Sequence, residues 1–123
     1  MPKPALIIRK EQMDALSNDA EKRYVNRMID YLKKHFPEAA QTPPAQMRMA
    51  VKEQIAKARS YRLITERQIA KYVITAWVMG PNFDNDYQAA KQTLTSKKKT
   101  AEQKSKWLAD WTKLFFRLKK KGA

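Results

Sequence analysis

Apolar residues recur along this chain at intervals of three and four. Met13, Leu16, Ala20, Tyr24, Met28, Leu32 (or its neighbour Tyr31) and Phe36 keep that spacing. It gathers them on one face of an α-helix over about residues 9–36. Ser17-Asn18-Asp19 interrupts the pattern with side chains that compete for backbone N–H groups, so a kink is expected there. Pro37 ends the helix, because a residue before proline is pushed toward extended geometry. A loop over residues 37–44 follows. Thr42 as N-cap and Pro43 at the first helical position open a second helix to about residue 61, with Met47, Val51, Ile55 and Ala58 inward. Thr65 and Gln68 have the spacing of a capping box. The helix they start, to about residue 79, carries Ile69, Ala70, Val73, Ile74, Ala76, Trp77 and Val78 around most of its circumference. A helix apolar nearly all round belongs at the centre of a fold. Gly80-Pro81 stops it. Residues 82–87 read as a turn, with Asp86 capping a short helix to about residue 94. Residues 95–99 form a polar loop. Thr100 and Gln103 supply a second capping box for a last helix to about residue 120.

Strand signals are nearly absent. Leu6-Ile7-Ile8 is extended in character but has no second β-branched run to pair with, and two glycines are too few for a turn-rich β-protein. The expected architecture is all-α: a single compact bundle of five or six short helices spanning residues 1–123. Residues 1–8 form a short extended N-terminal arm in this reading, and residues 97–123 a basic amphipathic C-terminal helix. Met28, Tyr31, Leu32, Val51, Ile55, Ile69, Val73, Trp77, Leu108, Trp111 and Leu114 are the expected core.

Charge changes the picture more than composition does. Lys and Arg number 26 against 12 Asp and Glu, a net charge of +14. Residues 91–123 hold 11 basic and 2 acidic side chains, which places +9 there. Such a field attracts phosphates, anionic lipid or an acidic protein face, or else keeps the surface solvated. With no cysteine, disulfides, thiolate zinc sites and thiol nucleophiles are excluded. No run approaches the ~20 apolar residues of a membrane span. The apolar run at residues 5–8 is too short for a signal peptide, so a cytoplasmic location is expected.

Candidate chemistry is sparse. The one histidine, His35, stands at a helix end, where it can face the last carbonyls. Asn82, Asp84 and Asp86 have the alternation of a calcium loop. Tyr87 stands where that loop needs glycine, and Thr93 where it needs a bidentate glutamate, so turn and cap roles are preferred. No catalytic residue, cofactor site or metal site is expected. In the last helix, an advance of about 100° per residue puts Trp107, Leu108, Trp111, Leu114, Phe115 and Leu118 on one arc, with Lys106, Lys113, Arg117 and Lys120 behind them. This helix can close the domain's own core, lie in a partner's groove, or rest on an anionic membrane. Phe116 falls among the lysines. Phe83, Tyr87, Lys106, Lys113, Phe116, Arg117 and Lys120 are therefore the candidate partner contacts, combining positive charge with aromatics the pattern does not send inward. Phe83 and Tyr87 can equally pack beneath their turn. The expected partner is a protein with an acidic face. The alternative is nucleic acid, bound with little sequence preference, since Lys97-Lys98-Lys99, Lys104 and their neighbours offer point charges and no base-reading motif.

Ala58-Arg59-Ser60-Tyr61, Ile64-Thr65-Glu66-Arg67-Gln68-Ile69-Ala70-Lys71-Tyr72 and Met79-Gly80-Pro81-Asn82-Phe83-Asp84 together resemble small all-helical bacterial proteins encoded beside type VI secretion effector genes. Ile7-Ile8-Arg9-Lys10-Glu11-Gln12-Met13 and His35-Phe36-Pro37 are similar too. The chain departs from that pattern at Arg62, where glycine is common. The resemblance implies a helper of a secreted toxin: an adaptor, a chaperone or an immunity protein, with a docking surface and no active site.

Overall fold

The computed structural model of the chain describes residues 19–117 with their side chains; the first and last helices are bounded by Pro2 and Gly122. The protein is all-α, with no strand among the described residues. Seven helical segments occur: α1 (Pro2–His35), α2 (Pro37–Gln41), α3 (Pro44–Ser60), α4 (Glu66–Met79), α5 (Phe83–Asp86), α6 (Gln88–Thr95) and α7 (Ala101–Gly122). The count exceeds five or six because two expected connections close into single helical turns. Pro37 presets the first backbone angle of α2. In α5 the amides of Asn85 and Asp86 both donate to Asn82 O at 2.9 Å. The bounds of α1 take in residues 2–8 as helix, where an extended arm was expected. The side chains there, with those of Met13, Leu16, Ser17, Asn18, Leu118 and Lys120, lie outside the described residues.

The chain divides into two units, residues 1–42 and 43–123. In the first, Tyr24, Val25, Met28, Ile29 and Leu32 form the buried face of α1, and Ala39 of α2 is buried as well. Tyr31 is 43% exposed, contrary to expectation. It lies off the stripe centred on Met28 and Leu32, and its ring packs on His35 with centroids 4.2 Å apart. His35 thus serves as a stacking partner within the last turn.

In the second unit α4 is central. It packs against α3, α5 and α7, and no residue from 68 to 80 is fully exposed. Its start is the expected capping box: Gln68 N donates to Thr65 Oγ1 at 3.1 Å, and Thr65 N donates to Gln68 Oε1 at 3.1 Å. Its end is Gly80, at φ +115°, a backbone conformation only glycine adopts freely. α7 begins with the second expected box, in which Thr100 and Gln103 exchange bonds of 2.9 and 3.1 Å. α3 starts one residue later than expected, at Pro44 with Pro43 as N-cap, while Thr42 closes α2 by donating to Glu38 O at 2.9 Å. Tyr87, without a side-chain cap bond, stands at the start of α6 where Asp86 was expected.

The buried face of α7 is rotated from its most apolar stripe. Lys104, Ser105, Leu108 and Thr112 are buried. Trp107 and Trp111 are half-buried, and Leu114 is 55% exposed. The cause lies in how α4 meets α7: Thr75 and Thr112 are buried with hydroxyl oxygens 2.8 Å apart. Small hydroxyl side chains let two helices approach closely, and the indoles are left on the flank. Trp77 is likewise half-buried, and Tyr72 and Phe83 are the large rings of the interior.

Candidate docking surface

Phe83 is no surface contact. It is fully buried, with its ring 4.9 Å from Tyr72 and 6.2 Å from Trp111 between centroids. It is held there by a polar clamp on the turn between α4 and α5. Asp84 is 3% exposed. Its Oδ2 accepts from the Tyr61 hydroxyl at 2.7 Å, and its Oδ1 lies 3.4 Å from the Lys57 ammonium. That ammonium also donates to Pro81 O at 2.9 Å and to Asn82 Oδ1 at 3.4 Å, so its three hydrogens have three acceptors on one turn. Gln54 Nε2 donates to the same Pro81 carbonyl at 3.1 Å. Lys91 donates to Tyr61 Oη at 3.2 Å and to Asn85 Oδ1 at 3.1 Å. The Asp84 carboxylate is thus consumed by structure, while Asp86 is exposed. Among the described residues no three His, Asp or Glu side chains are grouped to hold a metal ion. Burial, then the hydrogen bond to Asp84 and its negative charge, push the Tyr61 hydroxyl up to about 12. Burial and the same charge push Tyr72 further in that direction.

The remaining candidates fall into three groups. Tyr87 is 38% exposed and meets Trp111 edge-on at 5.1 Å; Trp111 stacks on Trp107, also at 5.1 Å. At about 100° per residue, Leu114 lies within about 20° of Trp107 around the helix axis. Tyr87, Trp107, Trp111 and Leu114 therefore make one aromatic and aliphatic ridge along the flank of α7. Lys106, Lys113 and Arg117 form a second group, exposed on one side of that ridge. Lys106 pairs with Asp110 one turn on, at 2.9 Å. That hydrogen bond raises the lysine's pKa and lowers the aspartate's, but both groups are open to solvent, where such pairs contribute little. Phe116 is exposed but lies about 180° from Trp107, which separates it from the ridge. Lys120 lies outside the described residues. Hydrophobicity alone sends Trp111 and Leu114 inward. The signal against it was Thr112 one position away, and it is informative only once Thr75 is known to face it.

No family model matches the chain, and no curated protein or solved structure matches it.

Proposed function

We propose that this protein is a non-enzymatic docking helper, an adaptor or chaperone for a bacterial secreted effector, and that it holds the acidic face of that partner against α7. The observation that carries this reading is the ridge of Tyr87, Trp107, Trp111 and Leu114, with Tyr87 and Leu114 exposed and both indoles half-buried, along a helix that also presents Lys113 and Arg117. Large aromatics and arginine beside one another are the side chains that dominate protein interfaces, because they bury area and make charge-assisted bonds. The +9 charge of residues 91–123 makes an acidic partner the complementary one. The resemblance of about residues 5–95 to small all-helical bacterial proteins encoded beside type VI secretion effector genes implies a helper that binds and does not catalyse.

The test is a variant, Leu114→Glu with Lys113→Glu and Arg117→Glu, compared with wild type by affinity capture from nuclease-treated lysate. Exposed substitutions leave stability nearly unchanged. Wild type should recover one acidic protein at fixed stoichiometry, and the triple variant should bind that protein about tenfold or more weakly. Recovery of only ribosomal or nucleoid material by wild type, or equal recovery by both forms, overturns the reading.

A further inference from the structure

A second basic feature lies away from the ridge. An open cleft of about 650 Å³ runs from the carboxyl end of α3 to the α6–α7 loop and the first turn of α7. Arg62, Lys97, Lys99 and Lys104 line it, and no Asp or Glu does. Four cations around one concavity repel one another, and the molecule places no carboxylate on that wall to offset them.

Lys104 is the most deeply buried of the four. A lysine is almost never fully buried unless paired. Here the residue is 5% exposed, and the only hydrogen-bond partner of its ammonium among the described residues is Tyr61 O, at 3.2 Å. That carbonyl belongs to the carboxyl end of α3, where a cation is favoured by the helix dipole, so one of three ammonium hydrogens is accounted for. Desolvation and the charge of Arg62 both lower the lysine's pKa. Two further donors adjoin it. Ser96 Oγ accepts from Lys98 N at 3.3 Å and so keeps its own hydrogen. Ala101, the first residue of α7, also lines the cleft, and a helix's first amides have no partner within the helix.

We propose that this cleft binds a multiply phosphorylated ligand, with its phosphates against Arg62, Lys97, Lys99 and Lys104. Lysine and arginine supply the point charge and the fork that phosphate oxygens accept from. The volume suits a nucleotide-sized molecule and exceeds what a lone inorganic ion fills. The half-buried Tyr61 and the exposed Ile64 on the same wall give the rest of such a ligand apolar surface. The phosphates can belong to a free nucleotide or to a single-stranded nucleic acid, and the two sources are separable by experiment.

Calorimetry on the full chain with pyrophosphate, ATP, a thymidine oligonucleotide and a glutamate decapeptide is the test. Arg62→Gly with Lys97→Gln and Lys99→Gln removes three cleft charges. Arg62 sits at φ +70°, where glycine is the favoured residue, so this change does not strain the fold. Arg48→Gln with Lys52→Gln and Arg67→Gln removes three exposed charges elsewhere. ATP or the oligonucleotide should bind wild type with one defined stoichiometry. The cleft variant should lose about tenfold or more in affinity and the control variant less than about twofold. Tighter binding of ATP than of the oligonucleotide assigns a free nucleotide; the reverse order assigns a nucleic-acid strand. Equal losses in both variants, tighter binding of the glutamate peptide, or no binding by any phosphate probe at about 1 mM each overturns the proposal.

Discussion

Asp84 and Tyr72 show how differently two buried polar groups in one neighbourhood are treated. Asp84 is paired by Lys57 and Tyr61, whereas the Tyr72 hydroxyl has no hydrogen-bond partner among the described residues. Asp84→Ala removes the carboxylate that the Lys57 ammonium and the Tyr61 hydroxyl both reach, and should cost about 2 kcal/mol in urea denaturation. Tyr72→Phe removes an unsatisfied group and should cost under about 1 kcal/mol or stabilise. Equal losses would mean that the clamp does not hold the turn. The same clamp predicts a pH dependence. An unfolded tyrosine ionises at its ordinary 10.0, but the folded Tyr61 holds its proton to about 12. Across that window the unfolded chain has fewer bound protons than the folded one, so stability falls as pH rises. Lys104 acts with the opposite sign: its folded pKa is lowered, so its contribution improves as pH climbs toward 10.5. Comparison with Tyr61→Phe isolates the tyrosine. The variant should lose less stability than wild type between pH 10 and about 12; parallel curves in thermal melts would count against the Tyr61–Asp84 bond. Arg62 sits at φ +70°, a region that favours glycine, and is one of the cations of the cleft.

At the scale of elements, the contact between α4 and α7 organises the second unit. Thr75 and Thr112 each lie 2.7 Å from the carbonyl four residues back, Lys71 O and Leu108 O, and 2.8 Å from each other. Two hydroxyl hydrogens serve three contacts, so one threonine donates to its own helix while the other donates across. A single change to valine leaves the remaining hydroxyl with its own carbonyl and removes the bond between helices. Thr75→Val should therefore cost about 1 kcal/mol. Thr75→Val with Thr112→Val should cost less than the sum of the two single changes, because an isosteric apolar pair fills the same space with no polar group left over. Strict additivity in denaturant melts would show that the two hydroxyls do not interact. The expected caps, at Thr65 and Thr100, needed no tertiary partner and were legible from a spacing of three residues. The face that α7 buries was not, because two threonines and a lysine read as polar until a neighbour is placed against them.

At the scale of the molecule, the net charge of +14 gathers in residues 43–123, which hold 18 basic and 6 acidic side chains, +12. Along α7 it flanks an apolar ridge; in the cleft it converges with none. Salt separates them. A phosphate ligand releases counterions, so its affinity should fall steeply between about 50 and 200 mM salt. Docking over the ridge rests on buried area and should hold through that range. A protein partner lost as steeply as the phosphate ligand would mean that charge alone holds it and the ridge takes no part. No helix among the described residues is long and apolar enough to cross a membrane.

The sequence by itself determined the helical class, the breaks at Pro37 and Gly80-Pro81, both capping boxes and the central place of α4. Each is a local matter: proline geometry, a glycine's positive φ, a hydroxyl within reach of an amide three residues on, or apolar residues so dense that every face must be covered. Most of the expected core followed too, since Met28, Leu32, Val51, Ile55, Ile69, Val73 and Leu108 each sit mid-stripe. Tertiary structure decided the rest. Whether Phe83 faced solvent depended on Lys57 and Tyr61, more than 20 residues away, anchoring Asp84 beside it. Whether Trp111 and Leu114 went inward depended on Thr75, which sets the rotation of α7. The four cations of the cleft come from two separated segments, 62 and 97–104, and only the fold brings them to one wall. Periodicity reports how a helix is patterned, but the face it buries is chosen by the shape of what packs against it.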